Sequence, residues 1–481
     1  MTARPSAARN ERSSLVPTLV FLGVASTAVA SLGAPLLATV VRVEHVSLAA
    51  SQWTLTISLL VGAVVTPVLG RVGDGRRRKS VIVAVTAVVF VGCVLAALPT
   101  GFDGLLVGRA LQGTGLALVP LATAAARDAL PAERARPVAA LLGVTTAVGI
   151  GVGYPIVGLV TEHLGMSMAF WFGAAVTGIA LVAAARFVPT SASPAGRRVD
   201  VAGAALLATG TGALLVLLSE GEAWGWTSVE TVLATATSVV LLAAWARTEL
   251  SSSHPLVDLR VMRHRSVLAA NGLVLLVGVG IYPVLSLVVR LVQTPQASGY
   301  GFGGSVVVAG AMLVPFSLAS FVVSRAIAPA LRRVRPEMVV AVSIAVLVLA
   351  MTTFLADRSS YVALVATMTL AGAGVGGVFA ANPVQILAGA PHAETGSAMS
   401  VYQVVRTIGF SVGSALSATA LVASVPAGHT LPTASGYHTA SVVSLSVLVV
   451  AAVVAVWLAL GPGLRRGRRP LSGDPGASPQ S

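Results

Sequence analysis

The stretch Gly70-Arg71-Val72-Gly73-Asp74-Gly75-Arg76-Arg77-Arg78-Lys79 sets one acid among five basic residues, between two long apolar runs. Charge of this density cannot enter hydrocarbon, where each Arg, Lys or Asp costs roughly 2.5–3.5 kcal/mol even on a lenient insertion scale. The stretch is therefore expected to be a tight turn at a membrane surface that joins two spanning helices. Its five positive charges place that turn on the cytoplasmic side, and this fixes the orientation of every other segment.

The remaining composition agrees. Of the 481 residues 56% are hydrophobic and 10% charged, against about 25% charged in an ordinary soluble domain. At about 20 apolar residues per span, such a length holds about fourteen spans with short loops. The chain has 49 Gly and 25 Pro, which in membranes permit close helix approach and tolerated breaks. The net charge of +14 reads as loop orientation, so no nucleic-acid partner is expected. Cys93 is the single cysteine, which excludes a disulfide framework and a thiolate metal cluster. It reads as a buried, inert thiol.

Apolar runs lie near 15–37, 52–70, 80–98, 104–126, 138–160, 168–188, 201–219, 229–246, 267–291, 304–327, 338–356, 360–388, 397–423 and 440–461. The first is too long for a secretory h-region and is read as an uncleaved helix. With both termini inside, 26 of the 31 basic residues fall in cytoplasmic loops or tails. The other five are Arg42, Arg109, Arg290, Arg358 and Arg406. That asymmetry is what the positive-inside rule predicts for a multi-pass protein of the plasma membrane.

A Pro/Ser/Ala linker at 189–200 follows six spans, and a second break at 251–265 precedes the last six. The expected organisation is a cytoplasmic tail (1–14), a six-helix half (15–190), two extra helices (200–250), a second six-helix half (265–462) and a disordered cytoplasmic tail (463–481). The basic loop Arg325–Arg335 follows the second span of the later half, as Arg71–Lys79 follows the second span of the earlier one. It keeps the arginines and lacks the Asp, as a degenerate internal repeat would. An all-α membrane protein with two six-helix halves around a central cavity is a transporter architecture.

Three stretches give a family resemblance. The opening turn is similar to a G-x-x-x-D-x-x-G-R-K loop, with Gly70, Asp74, Arg78 and Lys79 matching and Arg77 in place of a Gly. Arg109-Ala110-Leu111-Gln112-Gly113-Thr114-Gly115 matches R-x-x-Q-G-x-G, and the run Gly149, Gly153, Tyr154, Pro155, Gly158 resembles an antiporter motif around G-P-x-x-G. Together with Leu218–Ser228 and His254–Arg260, these resemble the major facilitator superfamily, and within it the fourteen-helix drug:proton antiporter branch. The resemblance implies a major facilitator fold, a gating role for the Asp74 turn, and proton coupling through Arg109 with Gln112 and Gly113. One departure stands out. The branch usually carries an Asp in helix 1, whereas Gly23–Ser31 has no carboxylate.

Bland alternatives stand beside each role. Asp74 could be a solvated acid that balances the loop charge, and Arg109 a clamp on backbone carbonyls. The glycine-rich stretches around 149–158 and 372–377 do not follow strands, and no Gly-Lys-Ser/Thr occurs, so helix packing or a bend at Pro155 is expected rather than phosphate binding. Polar residues inside the later spans (Asn271, Tyr282, Asn382, Gln385, Tyr402, Gln403 and Arg406) form a candidate cavity wall. No acid falls mid-span, so a neutral or anionic amphipathic cargo suits the cavity better than a dication.

The expected function is export of an amphipathic small molecule or drug by proton antiport with alternating access. The alternatives are an uptake permease or facilitator, which the missing helix-1 acid favours, and a non-transporting membrane sensor. No nucleophile–base pair or metal-ligand spacing suggests an enzyme. No cofactor is expected. The partners are the small-molecule substrate, protons and the lipid bilayer, with the chain a monomer.

Overall fold

A computed structural model describes residues 5–30, 32–46, 48–191, 200–252, 259, 264–331, 333–391, 394–426 and 431–460. The His254–Asp258 part of the motif before the ninth expected span, together with Arg260 and the tail from 461, lies outside the described residues.

The described chain is helical. The helices are α1 (Pro5–Ala30), α2 (Gly33–Glu44), α3 (Leu48–Val72), α4 (Arg78–Ala97), α5 (Gly101–Gly113), α6 (Leu118–Ala129), α7 (Ala132–Leu164) and α8 (Met166–Phe187). They continue with α9 (Val201–Trp224), α10 (Val229–Ser251), α11 (Arg265–Gln293), α12 (Val306–Ala311), α13 (Leu313–Ala330), α14 (Pro336–Ala356), α15 (Tyr361–Gly389), α16 (Thr395–Val422) and α17 (Ala434–Leu460). Starts are set by side-chain caps where the sequence provides them. Asp200 accepts from the Gly203 N–H at 2.9 Å and Ser360 from the Ala363 N–H at 3.2 Å, meeting donors that the first helical turn leaves open.

Among the described residues, twelve helical stretches are long and apolar enough to cross a membrane. The first and fifth expected spans fall outside that set. Both contain residues whose side chains lie outside the described ones: α1 is a 26-residue helix and α7 a 33-residue helix through both Pro137 and Pro155. The run expected as one helix from 15 to 37 is described as α1 to Ala30 and α2 from Gly33, with residue 31 outside the described residues. Gly33 lies close to Arg109: a Cβ there would be 2.6 Å from a guanidinium nitrogen. The helix also reaches back to Pro5, into the segment expected to be a tail.

Burial divides the core. One cluster runs almost wholly through α11–α17, around Ile281, Phe316, Leu347, Phe354 and Phe379. Two others lie within α1–α8, around Leu19, Ile82 and Leu121 and around Leu36, Cys93 and Phe170. The outward faces are as apolar as the inward ones: Val182 is 67% and Val362 79% exposed, which suits helices whose solvent is lipid.

The glycines of α15 work as the sequence suggests. Gly372 and Gly376 face the Phe316 and Ser320 carbonyls of α13, while Gly374 and Gly377 face Leu347 and Ser343 of α14. A Cβ on Gly372 would sit 2.0 Å from the Phe316 oxygen, so backbone contact here requires the missing side chain.

The pair α9 and α10 packs outside these three clusters. α9 lies against α3 and α16, and α10 packs principally on α9. Leu207 of α9 is buried with Val68 of α3 and Val401 of α16 packed against it.

Candidate functional site

The basic turn keeps its charge inside. α3 runs to Val72, one 3-10 turn covers Gly75–Arg77, and α4 begins at Arg78. Arg71, Asp74 and Arg78 are all buried, whereas Arg76 and Arg77 are exposed and Lys79 is half-buried. The Asp74 carboxylate lies 3.5 Å from Arg78 Nη2 and 3.9 Å from Arg71 Nη1. Both of its oxygens are buried without a close hydrogen bond. Burial therefore outweighs the two arginines, and the acid is pushed up to about 7, with Glu394 adding to the rise.

Arg78 continues the network inward. Its Nη1 contacts the Asp128 carboxylate at the end of α6 and the Ala124 carbonyl, and Ser191 donates to Asp128 at 2.7 Å. The bland reading of Asp74 as a solvated loop acid does not fit its burial.

The turn meets α16 from the other bundle. A Cβ on Gly70 would lie 2.0 Å from Ser400 Oγ and 3.0 Å from the Gly396 carbonyl, and one on Gly396 would lie 2.7 Å from Asp74 Oδ1. The Gly396 N–H faces the Asp74 carboxylate. A glycine from each bundle thus brings the Asp74 turn onto the first turn of α16. Beside it, Arg127 of α6 reaches the Leu387 and Ala390 carbonyls, each at 3.0 Å, and Thr395 Oγ1 at 2.6 Å.

Arg109 and Gln112 form a second buried group, deep within α5. Arg109 Nε donates to the Thr54 carbonyl at 2.9 Å, and Nη1 donates to the Val29 carbonyl at 3.4 Å and to Gln112 Oε1 at 2.6 Å. Gln112 Nε2 donates to the Gly92 carbonyl at 3.1 Å. The guanidinium therefore ties α1, α3 and α5 together, and Gln112 extends the tie to α4. Gly113 abuts Ser58 of α3, whose carbonyl oxygen would be 2.3 Å from a Cβ. Where the helix-1 acid is missing, Ser26 donates to the Gly115 carbonyl. Thr27 packs on Gly149 of α7, 2.5 Å from a Cβ there. Gly153 and Gly158 are buried, Pro155 is half-buried, and the side chain of Tyr154 lies outside the described residues.

The third group surrounds Arg406, which is 2% exposed. Its Nη2 donates to Gln403 Oε1 at 2.6 Å, and its guanidinium carbon lies 4.9 Å from the Phe379 ring centre and 5.8 Å from that of Tyr402. The Tyr402 hydroxyl faces Asn382, which donates to the Ala270 carbonyl at 3.4 Å. Phe410 joins the group, 6.0 Å from half-buried Tyr282 and 6.3 Å from Phe379. Gln385, one turn beyond Asn382, is buried with Nε2 unpartnered. Asn271 bonds within its own helix, to Val267. Phe379 and Phe410 were not among the candidates from the sequence. Their spacing, three residues before Asn382 and four after Arg406, is the signal that could have found them.

Two helical bundles, joined at one end by a charged lock, are matched by a family model. Residues 19–414 match the Major Facilitator Superfamily. The chain belongs to that superfamily. Its helices and its family make it a multi-pass membrane protein.

Among similar facilitator proteins is Multidrug resistance protein Stp of Mycobacterium tuberculosis H37Rv. It is 28% identical over 355 residues, which cover 73% of this chain and 64% of Stp. The chain therefore spans just under two thirds of the length of that relative. YvkA of Bacillus subtilis, an uncharacterized MFS-type transporter, is 25% identical over 86% of this chain and 88% of its own length. Lincomycin resistance protein LmrB of Listeria monocytogenes is 24% identical over 47% of this chain and 49% of its own. The human organic anion transporter MFSD10 superposes with a TM-score of 0.65 at 16% identity, over 94% of this chain and all of that one. That last likeness concerns the fold alone.

Proposed function

We propose that this facilitator is a proton-coupled exporter of neutral or anionic amphipathic small molecules, working as a monomer by alternating access. The reading takes fourteen spans, adding α1–α2 and α7 to the twelve, arranged as two six-helix halves (15–190 and 265–462) with an extra pair (200–250). Both termini and the Asp74 turn are cytoplasmic, in keeping with the distribution of arginine.

The observation that carries this reading is the buried lock at the Asp74 end. It joins the two bundles where Gly70 and Asp74 meet Gly396 and Ser400, with Arg71 and Arg78 holding Asp74 from within its own bundle, a contact that can break when the bundles rock. The names of Stp and LmrB support export of drug-like molecules. No nucleotide-binding motif occurs in the sequence, so an ion gradient supplies the driving force. The resemblance assigns proton coupling to Arg109, while its bonds to the Thr54 and Val29 carbonyls are those of the alternative structural clamp. The cage of Arg406, Gln403, Tyr402 and Phe379 favours an anionic or neutral cargo over a cation.

The test is accumulation of cationic, neutral and anionic probes in an efflux-deficient host, with and without an uncoupler, beside Asp74→Asn and Arg109→Ala. Lower accumulation of a probe, abolished by the uncoupler and by both substitutions at equal expression, is the expected result. A rise in accumulation would make the protein an importer, which is the second reading. What favours that reading is helix 1, where Ser26 and Thr27 fill by packing the region in which the branch usually carries an acid.

A further inference from the structure

The α15–α16 hairpin is held at both of its helix ends. α15 ends at Gly389, and its last carbonyls have no partner within the helix. Arg127, at the end of α6 in the other bundle, reaches them: Nη2 lies 3.0 Å from the Leu387 oxygen and 3.0 Å from the Ala390 oxygen. Its Nη1 lies 3.4 Å from the Pro391 oxygen and 2.6 Å from Thr395 Oγ1. α16 begins at Thr395, and the N–H of Gly396 in its first turn faces the Asp74 carboxylate. A cation thus sits on the negative end of one helix dipole and an anion near the positive end of the next. All of the Arg127 bonds cross between bundles, so every one must break if the bundles part at this end.

We propose that Arg127 is a gate latch in its own right, which holds the cytoplasmic side shut by capping α15 and acts separately from the Asp74 turn. It is a positioning residue, remote from the Arg406 cage. Two features separate it from Asp74. Its acceptors are backbone carbonyls and a hydroxyl, so the latch forms whatever the protonation state of Asp74. It also grips the end of α15, whereas the Asp74 turn grips the start of α16. The latch rests on the rocking-transporter reading, and the test must separate a failure of one from a failure of the other.

Spin labels at Glu133→Cys and Val334→Cys, both exposed at this end and one in each bundle, report the gap directly. Cys93 is fully buried and does not compete for label. In nanodiscs without substrate, Arg127→Ala is expected to raise the ratio of long to short inter-label distance about tenfold, the scale for losing charge-assisted hydrogen bonds. Arg127→Lys should restore part of the closed population. Thr395→Val, a milder change, should shift the ratio in the same direction by less. Arg127→Ala combined with Asp74→Asn should differ from either alone.

An unchanged distance distribution in Arg127→Ala and Thr395→Val, in monodisperse protein, overturns the latch if the wild type itself samples both distances. If neither the wild type nor any variant samples a longer distance with or without a transported probe, the rocking reading falls and the latch falls with it.

Discussion

Arg127 and Asp128 are neighbours in sequence and face opposite ways. Arg127 bonds to the carbonyls of α15 in the far bundle, and Asp128 turns back to Arg78, which pairs in turn with Asp74. One turn of α6 thereby braces the lock from within its own bundle and fastens it to the other. Neutralising Asp128 should therefore weaken closure without touching any contact between bundles. Asp128→Asn is expected to lengthen the Glu133–Val334 label distance less than Arg127→Ala does.

The lock should respond to pH through Asp74. In the closed arrangement burial raises this acid from 3.8 to about 7. When opening returns it to water, its pKa falls toward the ordinary value. The state with the higher pKa binds the proton more tightly, so acidification favours closure and a rise in pH through 7 favours opening. Between pH 6 and pH 8 the closed-to-open ratio should fall by about tenfold. Asp74→Asn should abolish the dependence and resemble the low-pH protein. The same label pair, followed across pH, measures it.

Arg109→Ala should destabilise the earlier bundle. It removes the Arg109 donor from the Gln112 amide oxygen, at about 1–3 kcal/mol if that buried group stays unmet, and from the Thr54 and Val29 carbonyls, which keep bonds from Ser58 Oγ and the Leu32 N–H. Arg109→Lys keeps the charge but cannot supply the planar fork. It should unfold at an intermediate temperature and transport poorly, as thermal melts in detergent and uptake into vesicles would record.

Gly70→Val should block closure rather than folding. Its side chain would meet Ser400 and the Gly396 carbonyl of the far bundle. The expected outcome is a long inter-label distance that persists at every pH, with a near-normal melting temperature. A short distance in this variant would show that the contact yields.

Arg406→Gln should change selectivity more than rate. The variant keeps a polar group beside Gln403 and Tyr402 but removes the charge stacked on Phe379. Transport of a carboxylated dye should fall about tenfold or more relative to its neutral ester. Paired probes in the same vesicles give that ratio directly.

The sequence already indicated several of these features because their causes are local. A charged turn between apolar runs has few places to go, and Gly372–Gly377 announces close packing wherever it sits. The Asp74 turn, Arg109 and Gln112 were legible for the same reason. Other features depend on partners far along the chain. Arg127 meets carbonyls some 260 residues away, and a backbone acceptor has no residue type to betray it. Phe379 and Phe410 look like ordinary core until α15 and α16 bring them beside Arg406 and Tyr282.

The α9–α10 pair has a mechanical consequence. Leu207 rests on both Val68 and Val401, and the Trp226 indole donates to Thr419 at 3.0 Å near the other end of α16. The pair therefore straddles the line along which α3 and α16 meet, with most of α10 left unburied by the rest of the protein. Separating α3 from α16 must shear or carry this pair through the surrounding lipid.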